Sequence, residues 1–124
     1  MSIESIVDAT RAGLAYERLR LDAASRNIAG ANVPIAADAT ATNAEVLGGG
    51  GFAAQLGERT VGTRAVLDPG HPMADAQGMV HYPETDMVQE MTTLMTASRG
   101  YEANVRAFNL LRSMMLRALE IGAK

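Results

Sequence analysis

Val7, Leu14, Leu21 and Ile28 recur every seventh residue through the first part of the chain, and Ile3 and Ile6 fall on much the same face. A strict apolar heptad outlines a helix with a narrow seam, of the kind that supercoils against a partner. Arg11, Glu17, Arg18 and Asp22 take the flanks. The stretch IAGANVP closes the helix, since Gly30 and Asn32 tolerate left-handed backbone and Pro34 cannot continue it. A first helical segment is therefore expected over 1–32.

A second apolar series occupies the other end. Met87, Met91, Leu94, Ser98, Tyr101, Val105, Phe108, Met115 and Leu119 follow three-four spacing, with a break at Arg112 that Leu111 can fill. Asp86 with Gln89 three residues on resembles a capping box. These signals predict a helix from 86 to 121, roughly 54 Å long, within a C-terminal segment 84–124. Each seam-bearing helix is the natural partner of the other. Val105 and Phe108 are expected against the Leu14–Leu21 stretch. Leu110, Met114 and Leu116 lie off the seam, and no further element is expected to cover them, so neighbouring molecules should.

Between the helices the pattern changes. AADATATNAEVLGGGGFAAQLG is rich in Ala, Thr and Gly without periodicity, and reads as flexible or weakly structured. RTVGTRAVLD resembles a short strand; PGHP, ADAQG and MVHYP read as turns with a second short strand. The segment 33–83 is thus a flexible, partly β insert. The expected fold class is mainly α, with terminal helices paired as a coiled coil around a short irregular, β-containing middle.

Composition sharpens this picture. The chain has 124 residues, enough for one domain, with two Phe, three Tyr, no Trp and eight Met, so its core must use small or pliable side chains. It has no cysteine, which excludes disulfides, thiolate metal sites and Cys nucleophiles. The N-terminus lacks a basic region followed by an unbroken apolar run, so it is neither a Sec-type signal nor a membrane helix. Secretion would need another route. The net charge of −3 arises in the middle segment, which holds five acids and two bases, while the helices are balanced. No basic stripe suggests nucleic acid as a partner.

Nothing points to catalysis. His71, Asp75, His81 and Asp86 fit no common metal-ligand spacing and sit among turn signals. Gly48–Gly51 lack the Lys-Ser/Thr of a phosphate loop and read as a linker. Ser25 and Ser98 have no histidine nearby on a shared element. Met91 with Met95, and Met114 with Met115, could suggest a soft-metal site, but methionines on a helix face are usually packing. No cofactor, metal or small-molecule substrate is expected.

The region PGHPMADAQGMVHYPETDMVQEMTTLMTASRGYEANVRAFNLLRSMMLRALEIG resembles the C-terminal half of bacterial flagellar basal-body rod proteins. Pro72, Ala74, Asp75, Gly78 and Val80 match the family's Pro-x-Ala-Asp-x-x-Gly-x-Val stretch. Asp86, Val88, Glu90 and Met91 match its helix start. Ala97, Arg99, Tyr101, Ala103 and Asn104 match its Ala-x-Arg-x-Tyr-x-Ala-Asn core, and Met114 and Met115 a paired-Met stretch. At the other end Ala24, Ser25, Asn27, Ile28 and Ala29 are similar to the Ala-Ser-x-Asn-Ile/Leu-Ala-Asn signature, with Gly30 in place of its second Asn. The segment 33–68 departs from the pattern and lacks the usual Thr-Pro-Gly-aromatic-basic strand.

The resemblance implies a non-enzymatic rod subunit, exported by the flagellar type III apparatus without a cleaved signal and placed in the periplasm-spanning rod. It implies terminal helices that pair as a coiled coil, polymerise and transmit torque. The expected partners are other copies, other rod proteins and the inner-membrane ring or export gate proteins. Helix packing and assembly are assigned to Val7, Leu14, Leu21, Asn27, Ile28, Met91, Leu94, Arg99, Tyr101, Asn104, Val105, Phe108 and Met115. Two rival readings remain: a helical-hairpin adaptor of a type III export system, and a small metal hydrolase using His71 and His81.

Overall fold

A computed structural model describes residues 2–48 and 54–123. In chain order it has α1 (Ile3–Gly30), β1 (Thr42–Leu47), β2 (Gln55–Thr60), β3 (Thr63–Leu67), β4 (Met79–Pro83) and α2 (Met87–Gly122). The two terminal helices bracket short antiparallel strands, a mainly helical architecture.

Local chemistry sets the helix ends. The Ser2 side chain accepts the Ser5 N–H at 3.2 Å, and Glu4 sits in the first turn, where the helix dipole favours an acid. Asp86 caps α2 as its spacing predicts, accepting the Gln89 N–H at 3.1 Å. The end of α1 differs from expectation. Neither Gly30 nor Asn32 is left-handed; Ala31 keeps helical angles and its N–H bonds Ile28 O. No basic residue occupies the last turn of α1, and Arg64 from β3 supplies that function. Its guanidinium donates to Ala31 O at 3.3 Å and to Asn32 Oδ1 at 3.1 Å, and lies 4.5 Å from the centre of the Tyr82 ring. A cation bonded to the carbonyl of the C-cap residue Ala31 does part of the work a left-handed glycine would otherwise do.

The strands form two separate hairpins. β1 pairs with β2 from Thr42↔Thr60 to Leu47↔Gln55, and β3 with β4 from Thr63↔Pro83 to Leu67↔Met79. Val61 N–H donates to Ala41 O and Glu84 N–H to Gly62 O, so the short 61–62 junction is held at both edges. Ile35 N–H donates to His81 O, bringing the segment after α1 onto β4. β1 lies within the stretch whose sequence reads as weakly structured. Gly49, Gly50 and Gly51 of the expected linker lie outside the described residues.

The two helices run antiparallel. A Cβ placed on Gly13 would lie 3.0 Å from Asn104 Oδ1, and one on Gly100 would lie 2.7 Å from Glu17 Cδ. Rising numbers on α1 therefore meet falling numbers on α2. Close approach is possible because small residues face inward: Ala24 and Ala97 are fully buried, and Ala12 and Ala23 nearly so. Val80 is the fully buried side chain of the β region.

Candidate functional site

The surface between and around the helices is where the sequence places function, and the register above fixes its layout. Glu90, Ala97, Asn104 and Leu111 are buried or half-buried and recur every seventh residue along α2. Asn104 stays on this line because its amide donates to Gly100 O at 3.0 Å while the absent side chain of Gly13 leaves it room. Leu111 is half-buried beside Arg112, filling the break as expected.

Of the expected packing residues, Val7, Leu14, Leu21 and Ile28 on α1 are half-buried, as are Leu94, Asn104, Val105 and Phe108 on α2. Four others are exposed: Met91 at 51%, Met115 at 38%, Tyr101 at 36%, and Arg99. A line through Glu90, Ala97 and Asn104 turns Met91 away, because neighbouring positions on a helix point about 100° apart. Phe108 lies with Val7 and Arg11, not with Leu14–Leu21. The register explains this, since Asn104 already sits at Gly13 and later α2 residues meet earlier α1 residues.

Asn27 is 5% exposed and looks away from α2. Its side-chain amide donates to Ala44 O at 2.9 Å, and its Oδ1 accepts the Ala44 N–H at 2.7 Å. A carboxamide offers one donor and one acceptor in the spacing of a peptide group, so Asn27 acts as one extra rung on β1. Neighbouring Asn43, also buried, accepts from the Thr85 hydroxyl at 3.2 Å, tying β1 to the entry of α2. Sequence reasoning missed Ala12, Ala24, Ala97, Gly13 and Gly100 as packing residues, although Ala24 and Ala97 stand in the motifs quoted above. It also missed Arg64 and Asn43, which only the tertiary fold brings into use.

The acidic and histidine residues of the turn region do local work. Asp75 Oδ1 accepts the N–H groups of Gln77 and Met79, each at 2.9 Å, and Oδ2 lies 2.8 Å from His81 Nε2. Gly78 has φ of 79°, a left-handed angle that glycine adopts without steric cost and that lets the turn close. His71 Nδ1 accepts the Met73 N–H at 3.0 Å. Among the described residues no group of three His, Asp or Glu is placed to hold a metal ion. Among the described residues no helix is long and apolar enough to cross a membrane.

The hydrogen bond from His81 chiefly holds the Asp75 carboxyl below the ordinary carboxylate range. The Met79 N–H adds to this, burial opposes it, and the Gln77 N–H and the charge of His81 contribute further. A lowered folded value means that this stabilisation is complete above the ordinary carboxylate pKa and is lost as pH falls through the lower value. The Gln77 and Met79 amide resonances should therefore hold through mild acid and shift together below the ordinary Asp range. Asp75→Asn should abolish that step. A step at the ordinary Asp value in the unaltered protein would show that the carboxyl is not held as described.

At the far end of the helix pair the packing thins out. Val7, Phe108, Met115, Leu116 and Leu119 line a groove of about 230 Å³ together with Arg11 and Arg112. Leu110, Met114, Leu116, Leu119 and Ile121 are between 53% and 76% exposed. α2 has 36 residues and α1 has 28, so the last turns of α2 outrun their partner.

Comparison with known proteins is consistent across the chain. A family model described as flagellar basal body rod FlgEFG protein C-terminal matches residues 76–121. The flagellar basal-body rod protein FlgC of Salmonella typhimurium is 34% identical over 133 aligned positions, which cover 98% of this chain and 99% of that protein. FlgC of Bacillus subtilis is 47% identical over 57 positions, covering 46% of this chain and 38% of that protein. FlgC of Borreliella burgdorferi is 27% identical over 149 positions, covering 98% of each.

Proposed function

The chain belongs to the FlgC family of flagellar basal-body rod proteins, and from that premise we propose how its surfaces build a rod. It is a structural protein and not an enzyme. Its helices form a coiled coil in the assembled state, an arrangement supported by the seven-residue recurrence of Glu90, Ala97, Asn104 and Leu111. Exported through the flagellar system, copies polymerise with one another and with other rod proteins across the periplasm. They meet the inner-membrane ring or export gate proteins at the base. Torque passes along the stacked helices through contacts that do not close into a ring.

The observation that carries this reading is the uncovered end of α2. Apolar residues exposed by more than half over consecutive turns, in a family of rod subunits, mark a surface made to be covered by another molecule. The coiled coil and this apolar end carry folding and assembly respectively, with Leu14, Leu21, Leu94 and Val105 in the first role and Met115 in the second.

A strain lacking the gene, supplied with the chain truncated after Met114, tests it. The shortened protein should be made and exported, yet cells should be non-motile and their basal bodies should lack a rod. Full motility with intact rods would overturn the assignment of the α2 end to assembly.

A further inference from the structure

Each strand of the two hairpins has one outer edge, and two of these edges are answered from within the chain. On β1, the Ala44 N–H and C=O are bonded by Asn27. On β4, His81 O accepts the Ile35 N–H and Met79 O accepts the Asp75 N–H. The outer edges of β2 and β3 have no such partner among the described residues. An open edge presents a row of N–H and C=O groups whose natural complement is another extended strand.

Hydrogen bonds fix which groups are open on β3. Glu84 N–H donates to Gly62 O and Asp68 N–H to Gly78 O, each at 2.9 Å, and both pairs continue the register of β3 with β4. Bonded pairs alternate along an antiparallel ladder, so the backbone of Arg64 and Val66 faces β4 while Thr63, Ala65 and Leu67 turn N–H and C=O outward. All five residues of β3 are exposed, and the Arg64 guanidinium leans back over Tyr82 of β4. We propose that two copies of the chain pair edge to edge through β3, antiparallel about a two-fold axis at Ala65. In that register Thr63 bonds Leu67 of the second copy, Ala65 bonds its counterpart and Leu67 bonds Thr63, so every open group is used. Facing side chains are Thr with Leu, Ala with Ala and Arg64 with Val66, and no like charges meet. The β2 edge is unsuited to the same pairing. Val61 N–H donates to Ala41 O, which turns Leu56, Glu58 and Thr60 outward, and the matching register sets Glu58 against itself. A two-fold contact closes on itself and cannot propagate along a rod. The pair is therefore a form of the unassembled chain, and it does not depend on the rod reading.

Sedimentation of the purified chain should show its average mass rising from one copy towards two with concentration. Ala65→Glu sets two carboxylates face to face at the axis and should weaken association about tenfold or more, and Ala65→Lys should do the same. Mixed in equal amounts, the two variants should associate again, because a two-fold pairing at this position sets each against the other. Ala65 is exposed and its N–H is turned away from β4, so both variants should keep the hairpin, read as slow exchange of the Asp68 and Glu84 amides. A chain that stays monomeric at every concentration would overturn the pairing. So would association that persists in Ala65→Glu, or a mixture no tighter than either variant alone. Hydrogen exchange on the unaltered chain decides without any variant. The Thr63, Ala65 and Leu67 amides should slow with concentration while Leu56 and Glu58 do not, and unchanged exchange at Ala65 across the range overturns the pairing. Absence of the tagged chain from isolated basal bodies would overturn the rod reading instead, leaving the pairing in place.

Discussion

Ala97→Leu is expected to separate the two helices and abolish motility. Ala97 is fully buried and lies within one turn of Gly100, which has no room for even a Cβ without displacing Glu17 of α1. A leucine adds three carbons where no space exists. Overpacking of this kind costs about 1–3 kcal/mol when the surroundings can give way. Here the site has no exposed surface, so relief requires its surroundings to move, and helices that move apart also loosen Asn104 against Gly13. A fall in helicity and melting midpoint of the purified chain, with no rods in complemented cells, is the expected result. Wild-type stability and motility would show that the small-residue contact is not what holds the pair. By contrast Phe108→Ala should destabilise the isolated chain less than full burial would imply, since Phe108 lines an open groove.

The second large effect is expected at Asn27. Removing its carboxamide leaves the Ala44 N–H and C=O without their bonds in a part-buried position, at about 1–3 kcal/mol for each orphaned group. Asn27→Ala should therefore release β1 from α1 while leaving the contact between α1 and α2 in place. Hydrogen exchange would read this as loss of protection at Ala44 and along the β1–β2 ladder, with protection around Ala97 retained. Asn27→Asp makes the argument sharper, because it keeps the acceptor, loses the donor and sets a carboxylate against the Ala44 carbonyl. Asp tolerated as well as Asn would mean that the donated bond contributes little.

How far the sequence reveals the fold depends on how local each cause is. The cap at Asp86 and the start of α2 follow from residues three apart and are legible directly. The strands around Thr63–Leu67 and Met79–Pro83 follow from short apolar runs bounded by turn residues. The inner face of the helix pair is harder, because alanine and glycine do their work by being small and give no apolar signal. A search for large side chains therefore places Met91 and Tyr101 on the seam, where the structure has Glu90, Ala97 and Asn104. β1 was hidden for a different reason. Thr-Asn-Ala-Glu-Val-Leu shows no alternation, and its free edge is satisfied by Asn27, a residue from another element. Of the candidate site, the exposed Leu110, Met114 and Leu116 were readable as off-seam residues. The groove was not, since it exists only where α1 runs out.

The pairing of chain ends also sets an order of events. Gly13 and Asn104 touch although most of the sequence separates them, whereas each β hairpin closes between residues near in sequence. Closing a loop of some ninety residues costs about 2 kcal/mol more in chain entropy than closing one of about ten, taking the logarithmic dependence on length. The hairpins can therefore form while the ends are still apart, and the helices can meet only when both termini are free on the same side of any barrier the chain crosses. During passage from one compartment to another, the leading helix has no partner until the trailing one arrives. Its apolar side stays available throughout that interval, and a helix pair formed before such a passage would have to open and close again on the far side.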